Sequence, residues 1–311
     1  MQTKIILISA IITIIIIYAL FNNDSNKEVI ITNNNYNNDS FDNEIWNEIL
    51  HVSNEQELIN KQILFKTIKF MLKETEEDDE ELIKFVKSLI NVPNLNSEIN
   101  LNNKNKKDFS QIGQSKYIDS LLSSKMNGFF VEAGGFNGED LSNSLFFELE
   151  RNWTGILIEA VPSLYKQIIS KNRKSFSINC CISNKRPFVA KFQIAGPLSN
   201  RISLINEHFQ NRVDKDIGTT KKTIIYVPCF SLYTILKAIN INKIDYFSLD
   251  VEGGELEVLK GINFNKIQIN TFSVEHNNYQ DHKIKIKQFL ESNNYRLTKD
   301  IGDGDSYFIK N

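Results

Sequence analysis

Apolar positions along the chain fall into three regimes. Residues 5–21 form an unbroken, uncharged apolar run flanked by Lys4 on one side and by Asn22, Asn23 and Asp24 on the other. At about 1.5 Å per residue a helix of this run is about 26 Å long, the short end of what spans a hydrocarbon core and suited to a thin bilayer. The run is long and β-branched for a signal peptide, and no small-x-small cleavage site follows it. An uncleaved anchor over residues 1–22 is therefore expected, with a cleaved signal peptide as the competing reading. Lys4 and the α-amino group precede the run, so the positive-inside bias places the N-terminus in the cytoplasm and the rest in the lumen. That makes a single-pass type II membrane protein of the endoplasmic reticulum or Golgi, and sequons at Asn38 and Asn152 suit a lumenal side.

In residues 23–52 Asn, Asp and Ser dominate, a composition that buries too little apolar area to offset ordering entropy, and the segment reads as a disordered tether. Helical spacing follows. Ser53 and Gln56 resemble a capping box ahead of Leu58, Ile59, Ile63, Leu64, Ile68 and Met71. Residues 53–107 are thus expected to form a stalk of one or two helices and a polar linker, with Pro93 in the linker. The acidic run 74–81 reads as a solvated helix face or linker, or as a docking patch for a basic partner.

The third regime, residues 108–311, repeats a rhythm of strand, glycine turn and helix. Strands are expected at 129–133, 155–159, 176–182, 246–250 and 267–275, with helices at 141–150, 163–171, 231–239, 255–261 and 282–292. Such alternation predicts an α/β fold, a mostly parallel sheet with helices on both faces whose ligands bind beyond the carboxyl ends of the strands. The tail, 295–298 and 307–309 around Asp303-Gly304, reads as a terminal hairpin that leaves the last strand antiparallel.

A formal net charge of −2 without a basic stripe excludes a surface built for nucleic acid. Cys180, Cys181 and Cys229 are too few for a disulfide framework or a zinc site and read as buried apolar residues on strands. A bridge from Cys180 or Cys181 to Cys229 stays open if the domain is lumenal.

Candidate chemistry gathers at the strand ends. The first strand runs through Glu132 into Gly134-Gly135-Phe136-Asn137-Gly138, immediately before an expected helix near Glu139 whose N-terminus would offer free N–H groups. The turn lacks the G-x-G-x-x-G of nicotinamide-type sites, and Glu132 would repel a pyrophosphate while attracting the cationic amino acid part of S-adenosylmethionine. Glu159 ends the second strand where this fold commonly holds ribose hydroxyls. Cys181-Ile182-Ser183 ends the third, where a side chain could frame the adenine. Asp250 and Glu252 sit two apart in an expected extended segment, both pointing the same way, and Glu275 and His276 close the fifth strand at the same edge.

Three segments, with Ser110-Gln111-Ile112-Gly113-Gln114 before them, carry a resemblance. Val131-Glu132-Ala133-Gly134, Trp153-Thr154-Gly155-Ile156-Leu157-Ile158-Glu159 and Leu249-Asp250-Val251-Glu252-Gly253 resemble the FkbM family of methyltransferases over about 200 residues, in family order. Gly128-Phe129-Phe130-Val131-Glu132 and Ser142-Asn143-Ser144-Leu145-Phe146-Phe147-Glu148-Leu149-Glu150 resemble, more closely, its membrane-anchored Star-like branch. The resemblance implies a Rossmann-like class I fold with a seven-stranded sheet, S-adenosylmethionine as cofactor, and methyl transfer to a hydroxyl of a glycan, lipid or small molecule. Implied cofactor contacts are Glu132, Gly134, Gly135, Asn137, Gly138, Glu159, Ser183 and Asp250. Where many members have Gly-Ala-Asn-Asp-Gly, Phe136 replaces a polar first-loop contact. Candidate bases are His276, Glu252 and Asp250, ranked by His titrating nearest neutrality. No metal is expected, although Asp250, Glu252, Glu275 and His276 could together hold a divalent ion. Residues 200–222 are long for a plain connection and read as a substrate lid or a loose loop. The rival reading is a non-catalytic, Star-like protein that keeps the fold to act on membrane-protein cargo in the secretory pathway.

Overall fold

The computed structural model describes residues 55–194, 200–201, 223–276, 280–301 and 304–311. The expected anchor, the tether with Asn38 and the loop beyond Arg201 lie outside the described residues. No helix among the described residues is long and apolar enough to cross a membrane.

Eleven strands are described: β1 (Phe129–Ala133), β2 (Thr154–Glu159), β3 (Phe176–Asn179), β4 (Cys181–Ser183), β5 (Phe188–Ile194), β6 (Asn200–Arg201), β7 (Thr223–Ser231), β8 (Lys243–Leu249), β9 (Gln268–Glu275), β10 (Tyr295–Asp300) and β11 (Asp305–Lys310). The helices are α1 (Glu55–Leu72), α2 (Glu80–Leu89), α3 (Gln114–Leu121), α4 (Leu145–Glu150), α5 (Pro162–Ser170), α6 (Leu232–Ala238), α7 (Glu255–Gly261) and α8 (Gln280–Ser292).

Seven strands form the main sheet in the order β10-β11-β9-β8-β1-β2-β3. β1, β2, β3, β8 and β9 run parallel, and β11 enters antiparallel between β9 and β10. This is the α/β class I methyltransferase-like fold expected above. The period of two along β1 sorts its side chains between two cores: Phe129, Val131 and Ala133 join one, Phe130 the other. The first core takes residues of α2, α6, α7 and α8, the second of α3, α4 and α5, so helices cover both faces. Gly155 makes room for this arrangement, since a Cβ there would stand 2.4 Å from the Phe130 ring.

A smaller sheet, β4-β7-β5-β6, was not expected. The single strand read over 176–182 breaks in two because Asn179 Nδ2 donates to the carbonyls of Glu159 (2.7 Å) and Ala160 (3.1 Å), pinning the end of β3 against β2. Cys180 is then buried at the junction, and the chain continues as β4 beside β7. Cys181 and Cys229 face each other across that pair with Cα atoms 4.4 Å apart and form a disulfide.

The helix read over 141–150 shrinks to α4. Glu132 takes the donors that would have opened it, accepting from Ser142 Oγ (2.9 Å), the Asn143 N–H (2.6 Å) and Ser144 Oγ (2.5 Å). Leu141 accordingly turns to φ +61° and stands half exposed.

The helices read as a stalk form, but they belong to the folded unit that spans Val52–Asn311. Phe70, Leu82, Phe85, Val86 and Ile90 sit in the same core as β1 and β8, and the Phe85 ring meets Phe230 edge-on at 6.0 Å. The acidic run is satisfied within the chain: Asp79 caps α2 (Leu82 N–H at 2.8 Å), Asp78 binds Lys266 (3.0 Å), and Glu74 and Glu76 pair with Arg186. The expected linker is strapped down as well. Asn91 bridges Ser177, the Asn102 and Asn103 N–H groups both reach the Glu139 carboxylate at 2.9 Å, and Lys174 Nζ donates to the carbonyls of Asn94, Leu95 and Ser97.

Candidate functional site

A cavity of about 230 Å³ opens where β1, β2, β8 and β9 end and β4 passes beside them. The parallel sheet accounts for its position, because the strands that flank β1 on either side send their connections to opposite faces and leave a crevice at their carboxyl ends.

The turn after β1 forms one wall. Gly134 sits at φ +84°, and a Cβ there would lie 1.9 Å from the Asp250 carbonyl oxygen, so only glycine lets the turn pack against the end of β8. The Gly134 and Gly135 N–H groups donate to the Ile158 carbonyl at 3.0 and 3.2 Å, tying the turn to β2. Glu159, at the tip of β2, completes the attachment by accepting from the Phe136 N–H (2.9 Å) and the Val161 N–H (2.8 Å). Burial pushes its carboxyl up to about 7, against the pull of those backbone donors. Gly134, Gly135 and Glu159 all line the cavity, as expected of cofactor contacts.

Asn137 and Gly138 do not. Asn137 Oδ1 accepts from the Glu139 (3.0 Å) and Asp140 (2.8 Å) N–H groups and thereby closes the turn on itself, where free helix N–H groups had been expected. Glu132 reaches the cavity wall, but it is 3% exposed and its oxygens are held by the 142–144 segment. Burial raises its carboxyl, opposed by the nearby Arg173 charge and by those donors. Its principal work in the fold is to brace the segment between the turn and α4. Ser183 is buried but is not among the lining residues; Cys180, Cys181 and Ile182 take that stretch of wall.

The opposite wall is acidic. Asp250, Glu252 and Glu275 all line it, joined by Glu257, which pairs with Arg201. Asp250 and Glu252 reach the cavity through a turn, unlike the extended segment expected, since β8 ends at Leu249 and Glu252 adopts φ +55° ahead of Gly253 at +104°. Glu255 fixes that turn: its Oε1 accepts from the Val251 (2.9 Å) and Gly253 (3.0 Å) N–H groups. Asp250, Glu255 and Glu275 each bring a carboxylate oxygen to within 4.8 Å of the others. Burial, then the charges of Asp250 and Glu252, drive the Glu275 carboxyl well above the ordinary range, and burial brings Glu255 to about 7. Asp305 stands behind them, held by Gln114 Nε2 at 2.8 Å and pushed up to about 6 by burial.

His276, ranked first among the bases, is 1% exposed and is not among the residues that line the cavity. Its Nε2 lies 3.5 Å from an Asp300 oxygen and its N–H donates to the Gly304 carbonyl, so it closes β9 against the hairpin. Glu255 was not singled out from the sequence as a site residue, whereas Arg201 falls in the 200–222 segment read as a lid or loose loop. Glu255 had one readable signal, an acid directly after Gly253-Gly254, the position from which a side chain can return to the preceding turn.

The cavity lining mixes the apolar Val161, Leu164, Ile182 and Phe192 with Glu159 and the carboxylates Asp250, Glu252, Glu257 and Glu275. In the strand order Glu159, at the end of β2, is separated by β1 from the acids that follow β8 and close β9. An adenosine with a cationic sulfonium amino acid calls for the same parts: an apolar base, a vicinal diol and positive charge. The donor set therefore fits S-adenosylmethionine.

No curated protein matches the chain. Among solved structures, it is similar to a methyltransferase FkbM from Methylobacillus flagellatus, at 12% identity and TM-score 0.40, covering 85% of this chain and 57% of that one. It is also similar to precorrin-6y C5,15-methyltransferase from Geobacter metallireducens, at 12% identity and TM-score 0.33 over 63% of this chain and 85% of that one. A third is M. jannaschii TYW2, crystallised with AdoMet, at 9% identity and TM-score 0.30 over 66% and 80%. The chain thus spans under two thirds of the FkbM structure's length. The sequence pattern of the methyltransferase FkbM domain matches residues 132–297, more than half of the chain and every strand end that lines the cavity. On that match the chain belongs to the FkbM family of S-adenosylmethionine-dependent methyltransferases.

Proposed function

We propose that the protein transfers a methyl group from S-adenosylmethionine to a hydroxyl oxygen of a glycan, lipid or small molecule. The observation that carries this is the set of groups that line the cavity: the apolar Val161, Leu164, Ile182 and Phe192, Glu159 at the end of β2, and Asp250, Glu252 and Glu275 beyond β8 and β9. When bound, the cofactor supplies an electrophilic methyl on a cationic sulfur, which becomes a neutral thioether as the new carbon–oxygen bond forms. Glu159 accepts from the ribose hydroxyls. The apolar residues hold the purine and exclude water from it. Holding donor and acceptor in line supplies roughly 7–11 kcal/mol of the barrier in well-oriented cases, so the side chains need contribute only alignment and a proton acceptor. The base role passes from His276 to the carboxylates on the wall, Asp250, Glu252 and Glu275. Among them the Glu275 carboxyl is driven well above the ordinary range by burial and by the charges of Asp250 and Glu252, which makes its carboxylate the stronger proton acceptor.

The protein is further proposed to work on the lumenal side of an endoplasmic reticulum or Golgi membrane, carried by residues 1–22 and the 23–52 tether. The apolar run supports this, as does the Cys181–Cys229 pair, a linkage that persists in oxidising compartments. Within the family, the patterns at 128–132 and 142–150 favour the Star-like branch.

The test is thermal unfolding with S-adenosylmethionine or its demethylated product. At about 100 times its dissociation constant a ligand adds about 2.7 kcal/mol, and the wild-type protein is expected to show that shift while Glu159→Ala loses it. Labelled methyl transferred to a membrane extract should survive mild alkali, as an ether does and a carboxyl ester does not. A folded wild-type protein with no shift would overturn the cofactor assignment, and alkali-labile label would overturn the hydroxyl acceptor.

A further inference from the structure

We propose that Asp250 and Glu275, on the cavity wall, and Glu255, buried behind it, hold a divalent, oxygen-preferring cation. Three elements bring these carboxylates together: the end of β8, the first residue of α7 and the last residue of β9. One oxygen from each lies within 4.8 Å of the other two. Oxygens coordinated at 2.3–2.6 Å around Ca²⁺ stand at most about 5 Å apart, so this spread fits the shell of such an ion, and a small inward movement suits Mg²⁺. A donor set made only of carboxylate oxygen selects hard cations and not zinc or copper.

Glu255 supplies a second and separate observation. It is 0% exposed, and the Val251 and Gly253 N–H groups fix its Oε1. Its Oε2 is buried with no hydrogen-bond donor among the described residues, and His282 Nε2, at 3.8 Å, lies beyond hydrogen-bond reach. A buried carboxylate oxygen left in this state is costly, and the two half-buried acids beside it add like-charge repulsion. A divalent cation removes both costs at once. The site also has a use, which rests on the hydroxyl-methylation reading: with Asp250 and Glu275 engaged by the cation, Glu252 is left as the proton acceptor, and the cation would lower the pKa of an acceptor hydroxyl and help orient it.

The proposal is tested with the metal alone. The full chain, stripped with chelator, is titrated with Mn²⁺, followed by electron paramagnetic resonance of free Mn²⁺ and by thermal unfolding, and the titration is repeated with Ca²⁺ and Mg²⁺. One saturable Mn²⁺ per chain and a rise in unfolding temperature are expected. Glu255→Gln and Glu275→Gln should each weaken Mn²⁺ by about tenfold or more, and Glu257→Gln, on the same wall but outside the trio, should not. Glutamine keeps the shape and one acceptor oxygen, and circular dichroism checks that the variants are folded. If the acids instead share a proton, wild type shows no cation response and the two glutamine variants simply melt higher, which overturns the proposal. Saturable binding unchanged in both variants overturns it too. A protein that shifts with S-adenosylmethionine but ignores Mn²⁺ keeps the methyltransferase reading and loses this one, and the reverse result separates them in the other direction.

Discussion

Glu159 shows how one side chain can be both scaffold and sensor. Its two oxygens hold the Phe136 and Val161 N–H groups, so it clamps the glycine turn to β2 in the same place where it meets the cavity. Burial raises its carboxyl from 4.5 to about 7. For an acid the sign follows directly: the folded protein holds this proton more tightly than the unfolded chain, so its contribution favours folding below pH 4.5 and is lost as pH rises through 7. Attraction for a cationic cofactor runs the other way, since only the ionised form provides it. Affinity for S-adenosylmethionine should therefore improve between pH 6 and 8, by up to roughly tenfold for one full charge at this site. Calorimetry at several pH values on wild type and Glu159→Gln checks this, and the difference between the two cancels titration of the ligand itself. Parallel profiles in the two proteins would show that Glu159 does not titrate against the cofactor.

Among the elements, the segment between the glycine turn and α4 depends on a charge more than on helix propensity. Leu141, Leu145 and Leu149 recur at a spacing of four and read as the face of a helix, yet Leu141 stands at φ +61°. Glu132 overrides the periodicity because a buried carboxylate must find donors, and Ser142, Asn143 and Ser144 are the nearest. Glu132→Ala would strand those donors, at a cost of about 1–3 kcal/mol for each buried polar group left unsatisfied, while Arg173 keeps its ion pair with Glu148 at 3.0 Å. Glu132→Gln keeps an acceptor and should lose less. Urea midpoints of the two variants measure the difference, and an alanine variant as stable as wild type would show that the segment holds itself. The same contrast explains what the sequence discloses. β1, with every residue buried, and α7 are legible to the residue because pattern and environment agree there. The break between β3 and β4 is made by the Asn179 side chain, and β5 buries residues in a pattern of two in every three, so neither shows the period of a strand. The acidic edge was legible as chemistry before its geometry was: Asp250 and Glu252 were found through the motif, whereas Glu255 joins them only because the turn brings α7 back under the strand end.

For the molecule as a whole, the decisive boundary is where the folded unit begins. Composition places it after the polar linker, near Phe109, because residues 91–107 carry few apolar side chains. Packing places it at Val52. Phe70, Leu82, Phe85, Val86 and Ile90 are buried in the principal core, and at about 1.5–3 kcal/mol for each such side chain their removal forfeits on the order of 10 kcal/mol. That is comparable to the whole stability of an ordinary domain, about 5–15 kcal/mol. The amphipathic α2 is therefore a structural wall, and its acidic approach is anchored by Arg186 and Lys266 of the same unit. A chain beginning at Val52 should unfold cooperatively in urea at the midpoint of the full-length protein and show the same thermal shift with S-adenosylmethionine. A chain beginning at Phe109 should lose cooperative unfolding and bind no cofactor, although it retains the glycine turn, Glu159 and the acidic wall. Equal midpoints for the two truncations would return α1 and α2 to the role of a stalk, and would mean that the sheet closes its own core without them.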